Sequence, residues 1–246
     1  MNNVFAFHGA DHKCGTSMIA QSAAEAIAAR DKNLRVLLVN TSKDSTDLFC
    51  PNVCESLETI RPYLVEKLVD MEDLVQKSKY KDNLYIIGGM KKPGCITNFS
   101  PEMGEYLLEA ASNLFDIIIC DSGAEIENGM SIGSLFFADD VYMVITQSEA
   151  CIRSYEYMMG FYKTLSLPVR KLIINKYSRN AVNNKNIICG RLKYSEEDLM
   201  YLSESMYSDK AEIEGKTLYQ LKDVKFKKEI DLIAKDMLGR AGYGNI

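Results

Sequence analysis

Between Val4 and Arg30 the chain runs from a short apolar stretch, through a glycine-bounded polar loop, into a long alanine-rich segment. Few folds accommodate that order. Val4-Phe5-Ala6-Phe7 has the β-branched and aromatic bias of a buried strand. The loop His8-Gly9-Ala10-Asp11-His12-Lys13-Cys14-Gly15 follows at once, and Thr16-Ser17 opens a helix, Met18 to Arg30, built of strong helix formers. Backbone N–H groups at such a helix start face outward without intrahelical partners, and the helix dipole adds to their pull on an anion. This is the layout of a phosphate-binding loop. The ordinary pattern is G-x-x-x-x-G-K-[ST], and here Gly15 stands where a lysine should precede the hydroxyl.

Strands and helices then alternate to the end of the chain. Leu34 to Val39 reads as a second strand, nearly continuous in its apolar character, as in a parallel sheet covered on both faces. Ser56 to Ser78 places Leu57, Ile60, Leu64, Leu68, Met71 and Leu74 at helical spacing. Leu84 to Ile87 is a third strand, closed by Gly88-Gly89 and followed by Lys91-Lys92-Pro93-Gly94, a basic loop read as a solvated turn. Ser100-Pro101-Glu102 opens a helix reaching Asn113. The apolar run before Cys120 ends in Asp121-Ser122-Gly123, and Val141 to Thr146 is a further strand, followed by a helix over 150–165. Lys171 to Asn175 ends in an amide. Beyond a polar loop, Ile187-Ile188 reads as a short edge strand, Tyr194 to Leu199 as the start of a helical piece, and 225–238 as an amphipathic helix with Phe226, Ile230, Ile233 and Met237 on one side. The tail 239–244 reads as frayed. The expected fold is α/β, a doubly wound, mostly parallel sheet flanked by helices, as one domain over residues 1–246.

The loop and the strand ends together resemble the ParA/MinD-type P-loop ATPases, whose deviant loop reads roughly G-K-G-G-x-G-K-[ST]-[ST]. Over that pattern Ala10 and Gly15 replace the two lysines, and Thr16 falls on the magnesium-binding hydroxyl. The run Phe115 to Gly123 has the form of the superfamily's Walker B strand, so that Asp121 holds magnesium through a water. Asn175 matches the residue that reads the adenine edge. The resemblance therefore implies a nucleotide site of Gly9, Ala10, Asp11, His12, Lys13, Cys14, Gly15, Thr16, Ser17 and Asn175, with Thr16 and Asp121 at the metal, ATP or ADP as ligand, and Mg2+. The family's carboxylate pair at the end of strand two is here Asn40 and Ser42, neither a base at neutral pH, with Asp44 and Asp47 as candidate substitutes. Within the superfamily the chain looks most like the CpaE/TadZ pilus-assembly branch, in which the P-loop is degenerate.

With both lysines absent, phosphoryl transfer lacks its charge compensation. Three functions remain open: an ATP-binding switch or scaffold with slow or absent turnover, positioning a pilus or other polar or envelope assembly; an active ATPase in which Lys13 serves for the missing lysine; and a nucleotide-free interaction scaffold. The resemblance implies a homodimer and further protein partners. A net charge of −5 argues against general nucleic-acid binding. No apolar run reaches the ~18–20 residues of a membrane span, and the charge-balanced 225–238 segment allows at most a peripheral membrane contact. The expected location is the cytoplasm, with recruitment to a pole or the inner membrane face. The seven cysteines lack zinc-site spacing: Cys50 and Cys54 have no His/Cys pair beside them. Cys120 reads as core, and Cys14, at a helix start, as the thiol most open to activation.

Overall fold

The computed structural model describes residues 3–42, 56–92, 98–221 and 223–244. Asp44, Asp47, Cys50, Cys54 and the Pro93-Gly94 part of the basic loop lie outside them. The strands β1 (Val4–Gly9), β2 (Val36–Asn40), β3 (Gln76–Lys77), β4 (Leu84–Ile87), β5 (Ile117–Asp121), β6 (Asp140–Thr146), β7 (Val169–Tyr177) and β8 (Leu199–Ser203) form one sheet. Its order is β3-β4-β2-β5-β1-β6-β7-β8. Every neighbouring pair is parallel except β3 with β4. The first strand of the chain thus lies near the middle of the sheet. Both faces are covered, so β1, β2, β5 and most of β6 are buried at successive residues.

The helices are α1 (Thr16–Arg30), α2 (Leu57–Glu66), α3 (Met71–Leu74), α4 (Pro101–Ser112), α5 (Gly129–Phe137), α6 (Glu149–Thr164), α7 (Lys185–Leu192), α8 (Ser208–Glu214) and α9 (Val224–Arg240). α1 packs against α9, and α4 packs against α5. The stripe Phe226, Ile230, Ile233 and Met237 of α9 is buried, as its spacing requires. None of the described helices is long and apolar enough to cross a membrane.

Several local expectations give way to packing. The helix expected over 56–78 ends at Glu66, where Lys67 turns left-handed (φ 54°). Leu68 is left exposed, and Met71 and Leu74 are buried from the separate short helix α3 before the chain pairs as β3. Ile187-Ile188 belongs to α7, capped by Asn184, whose side chain accepts from the N–H groups of Asn186 and Ile187. The edge strand is β8, and only a 3₁₀ turn, Glu196–Asp198, precedes it. His8, expected in the loop, is part of β1 and fully buried. The tail is not frayed through its length: α9 runs to Arg240, Gly242 turns left-handed (φ 89°), and Tyr243 N–H closes back on the Leu238 carbonyl at 2.8 Å with its ring against the core.

One buried carboxyl joins α1 to the segment before α9. Glu25 accepts from Thr217 Oγ1 at 2.5 Å, from Gln21 Nε2 at 3.3 Å and from Gln220 Nε2. Burial pushes its pKa up to about 7, against the pull of these three donors. The folded pKa exceeds the unfolded one, so the native state holds the extra proton. The associated stability is complete below about pH 4.5 and is lost as pH rises towards 7. We expect stability to fall by the order of 3 kcal/mol over that window through this group. Denaturant titrations at pH 5 and pH 8 should show Glu25→Gln losing less stability than wild type, because the amide cannot ionise.

Candidate nucleotide-binding site

The loop between β1 and α1 is held from three sides. Gly9 N–H donates to the Gly123 carbonyl at 2.7 Å and Ala10 N–H to the Val144 carbonyl at 2.9 Å, which continues the pairing of β1 with its neighbours. Ser154 Oγ, from α6, donates to the Ala10 carbonyl at 2.7 Å. Asn175 Nδ2, from the end of β7, donates to the Cys14 carbonyl at 2.8 Å. Gly15 is left-handed (φ 93°), and a Cβ there would lie 2.2 Å from Asn175 Nδ2. Glycine is required at that position both for its backbone angle and for the approach of the amide. Gly9 is as closely packed, since a Cβ on it would meet Thr16 Oγ1 at 2.4 Å.

Gly15 is the N-cap of α1, with no side-chain cap and no acidic residue in the first turn. The intrahelical ladder begins with Ile19 N–H on the Gly15 carbonyl at 3.1 Å. The N–H groups ahead of it have no intrahelical acceptor, as at any helix start. Gly15, Thr16, Ser17 and Met18 line a cleft of about 530 Å³ that also takes in Asp11, His12 and Lys13. Its other walls are Ser42, Gly123–Glu125 and Asn175-Lys176, and it extends to Ser203, Ser205, Glu212, Leu218 and Phe226. A second cleft, of about 400 Å³, lies across the same loop and is lined by Asp11 to Cys14, Thr146 to Ser148, Cys151, Lys176 and Ser178.

The expected site residues thus divide into groups. Asp11, His12, Lys13, Gly15, Thr16, Ser17 and Asn175 line the larger cleft; Cys14 lines only the smaller one. Gly9 and Ala10 are buried in the base of the loop. Asp121 ends β5, paired with Phe7 of β1 on one side and Asn40 of β2 on the other, and its Oδ1 accepts from Gly123 N–H at 3.2 Å. Asn40 is buried, and its Oδ1 accepts from both the backbone N–H and the Oγ of Ser42 at 2.9 Å. Ser42, but not Asn40, reaches the larger cleft. His12 Nε2 lies 3.9 Å from Glu125 Oε1 at the mouth. His8, beneath the loop, has its pKa lowered to about 4 by burial and is neutral at pH 7.

Cys14, by its position the thiol most open to activation, is not activated. The residue is buried with Sγ 3.2 Å from Thr16 Oγ1, and burial raises its pKa above that of a free thiol, outweighing the hydrogen bonds that favour the thiolate. Sequence reasoning also missed Lys176, Ala124-Glu125 and the Ser203–Phe226 wall. Of these only Lys176 had a sequence signal, its position directly after Asn175.

Two outcomes test this geometry. Asn175→Ala leaves the buried Cys14 carbonyl without its donor and should cost about 1–3 kcal/mol, and Gly15→Ala should cost at least as much; chemical denaturation measures both. Folded protein treated with iodoacetamide at pH 8 should leave Cys14 unmodified in peptide mass mapping, whereas urea-unfolded protein should be alkylated there.

No protein-family model and no curated protein matches the chain. Solved structures do. A ParA family ATPase from Chlorobium tepidum TLS superimposes with a TM-score of 0.82 at 21% identity, over 95% of this chain and 97% of that one. The MinC:MinD cell division complex of Aquifex aeolicus gives 0.77 at 19% identity, over 96% of each chain. The septum site-determining protein MinD from Pyrococcus horikoshii OT3, complexed with Mg-ADP, gives 0.77 at 16% identity over 99% of each. A mostly parallel sheet flanked by helices, with its first strand–loop–helix at the centre, is the fold these proteins share with this chain: it has the ParA/MinD P-loop NTPase fold.

Proposed function

We propose that this protein is an ATP-binding switch or scaffold of ParA/MinD type with slow or absent hydrolysis. The observation that carries the reading is the uncapped start of α1, without an acidic residue in its first turn, opening on a cleft of about 530 Å³. Donors held in that way suit a phosphate chain, and the wall from Ser203 to Phe226 leaves room for the nucleoside. The relative from Pyrococcus horikoshii carries Mg-ADP, which supports the same ligand class here.

The donor types suit magnesium: Thr16 lines the cleft, while Asp121, buried at the end of β5, is not among its lining residues. Among the described residues no group of three or more His, Cys, Asp or Glu side chains forms a metal cage. A single hydroxyl and a single carboxylate, Thr16 and Asp121, are what an ion needs when phosphate and water supply its other ligands. Thr16 would hold it directly and Asp121 through water, and the ion would neutralise phosphate charge.

Turnover is where the chain falls short. Gly15 takes the place of the usual lysine, and Asn40, locked to Ser42, is no base. Loss of one transition-state donor costs on the order of 100- to 1,000-fold in rate. We further propose that the protein acts as a homodimer with protein partners, in positioning a polar or envelope-linked assembly such as a pilus machine; the MinD of Aquifex aeolicus in complex with MinC supports partner binding in general terms.

Thermal melting tests the reading. ATP with magnesium at about 100 times its Kd should raise the midpoint by roughly 5–10 °C. Thr16→Ala should lose the magnesium-dependent part, and steady-state phosphate release should stay low. Rapid magnesium-dependent release abolished by Asp121→Asn would instead establish an active ATPase. No shift at millimolar ATP would leave a nucleotide-free scaffold.

A further inference from the structure

Lys176 sits at an irregularity of β7 beside the cleft. On its β8 side, β7 pairs Ile174 with Tyr201 and then Tyr177 with Ser203, so one extra residue is accommodated on β7. Lys176 takes up the irregularity with a left-handed backbone (φ 52°), a conformation that disfavours side chains other than glycine, asparagine and aspartate. In a regular strand Asn175 and Lys176 would point to opposite faces. Here both line the larger cleft, Asn175 against the loop and Lys176 beside it. Lys176 also lines the smaller cleft across the loop, as does Lys13, which is left-handed too (φ 62°).

The charge around them matters. Asp11, Glu125 and Glu212 line the larger cleft, and among the described residues Lys13 and Lys176 are the lysines and arginines that line it with them. Among the described residues neither lysine has a carboxylate within ion-pair distance. A polyanion entering this cleft meets the helix-start donors and these two ammonium groups. Without them the lining is acidic.

We propose that Lys176 is a phosphate-binding residue of the cleft, supplying from the β7 bulge cationic charge that the loop lacks at Gly15. The inference rests on the nucleotide-binding reading above and adds to it a ligand from outside the loop. A lysine approaching from the end of β7 meets the phosphate chain from the side of Asn175, and holds the loop and β7 to one ligand. Phosphate binding then depends on the register of β7 with β8.

The test is calorimetric titration of the full chain with ATP and magnesium, with inorganic tripolyphosphate, and with adenosine. Lys176→Ala should weaken ATP and tripolyphosphate by about tenfold, the usual size of a charge-assisted contact at a partly solvated site, and leave adenosine unchanged. Lys176→Gly is the second variant, since glycine accepts the left-handed backbone and so keeps the bulge without the charge; it should show the same loss. Lys176→Arg should retain most of the affinity. If wild type binds ATP and both neutral variants match it within twofold, the Lys176 assignment is overturned while the nucleotide site stands. Equal loss of ATP and adenosine would assign Lys176 to loop shape instead and overturn the phosphate role. Failure of wild type to bind either ATP or tripolyphosphate would remove the nucleotide reading itself, and this inference with it.

Discussion

The contact on which the site depends is the one between the Asn175 amide and the Cys14 carbonyl, made at 2.8 Å through the space left by a glycine. Asn175 is at the end of β7, paired with Thr146 of β6, and Cys14 closes the loop that starts at β1. One hydrogen bond therefore ties two strands separated by β6 to the start of α1. Its cost if unmade is large because both groups are buried. The left-handed Gly15 follows from it: any side chain would displace the amide, and the helix could not begin where it does.

Around this contact the fold concentrates polar groups at the carboxyl ends of its central strands. In a parallel sheet every strand delivers its last residue to the same edge, and the crevice beside β1 is where connections leave to opposite faces. Asp121, Asn40, Ser42 and Asn175 reach that edge from positions far apart in the chain. Several of them satisfy one another before any ligand arrives: Asn40 holds Ser42, Asp121 holds the Gly123 N–H, and Asn175 holds the loop. Among the described residues, Lys13 and Lys176 have no carboxylate within ion-pair distance beside these groups.

Glu25 shows the same fold managing a buried carboxyl away from the site. It lies in α1, the helix whose start forms the cleft, and is hydrogen-bonded to Thr217 and Gln220 just ahead of α9. The Thr217–Leu221 segment also adds Leu218 to the cleft wall. One buried carboxyl thus ties α1 to that segment, at a distance from the loop itself.

Where local pattern and packing agree, the sequence by itself was sufficient. Val4 to Phe7, the glycine-bounded loop, the alanine-rich α1, the strand ending in Asp121 and the α9 stripe are all legible, because buried parallel strands and amphipathic helices have periods of their own. The alternation of the two implied the parallel sheet and, with the resemblance, the kind of site at its edge. Tertiary structure decided the rest. Leu68 fits the helical period yet is exposed, since the chain had to turn at Lys67 to deliver Met71 and Leu74 to the core. Ile187-Ile188 looked like a strand, but the Asn184 cap and the edge already taken by β8 made it a helix. Cys14 has the position of an activated thiol and the burial of an inert one. Lys176 lines the cleft at the point where β7 shifts register against β8, a matter of pairing between segments more than twenty residues apart, which no local pattern encodes.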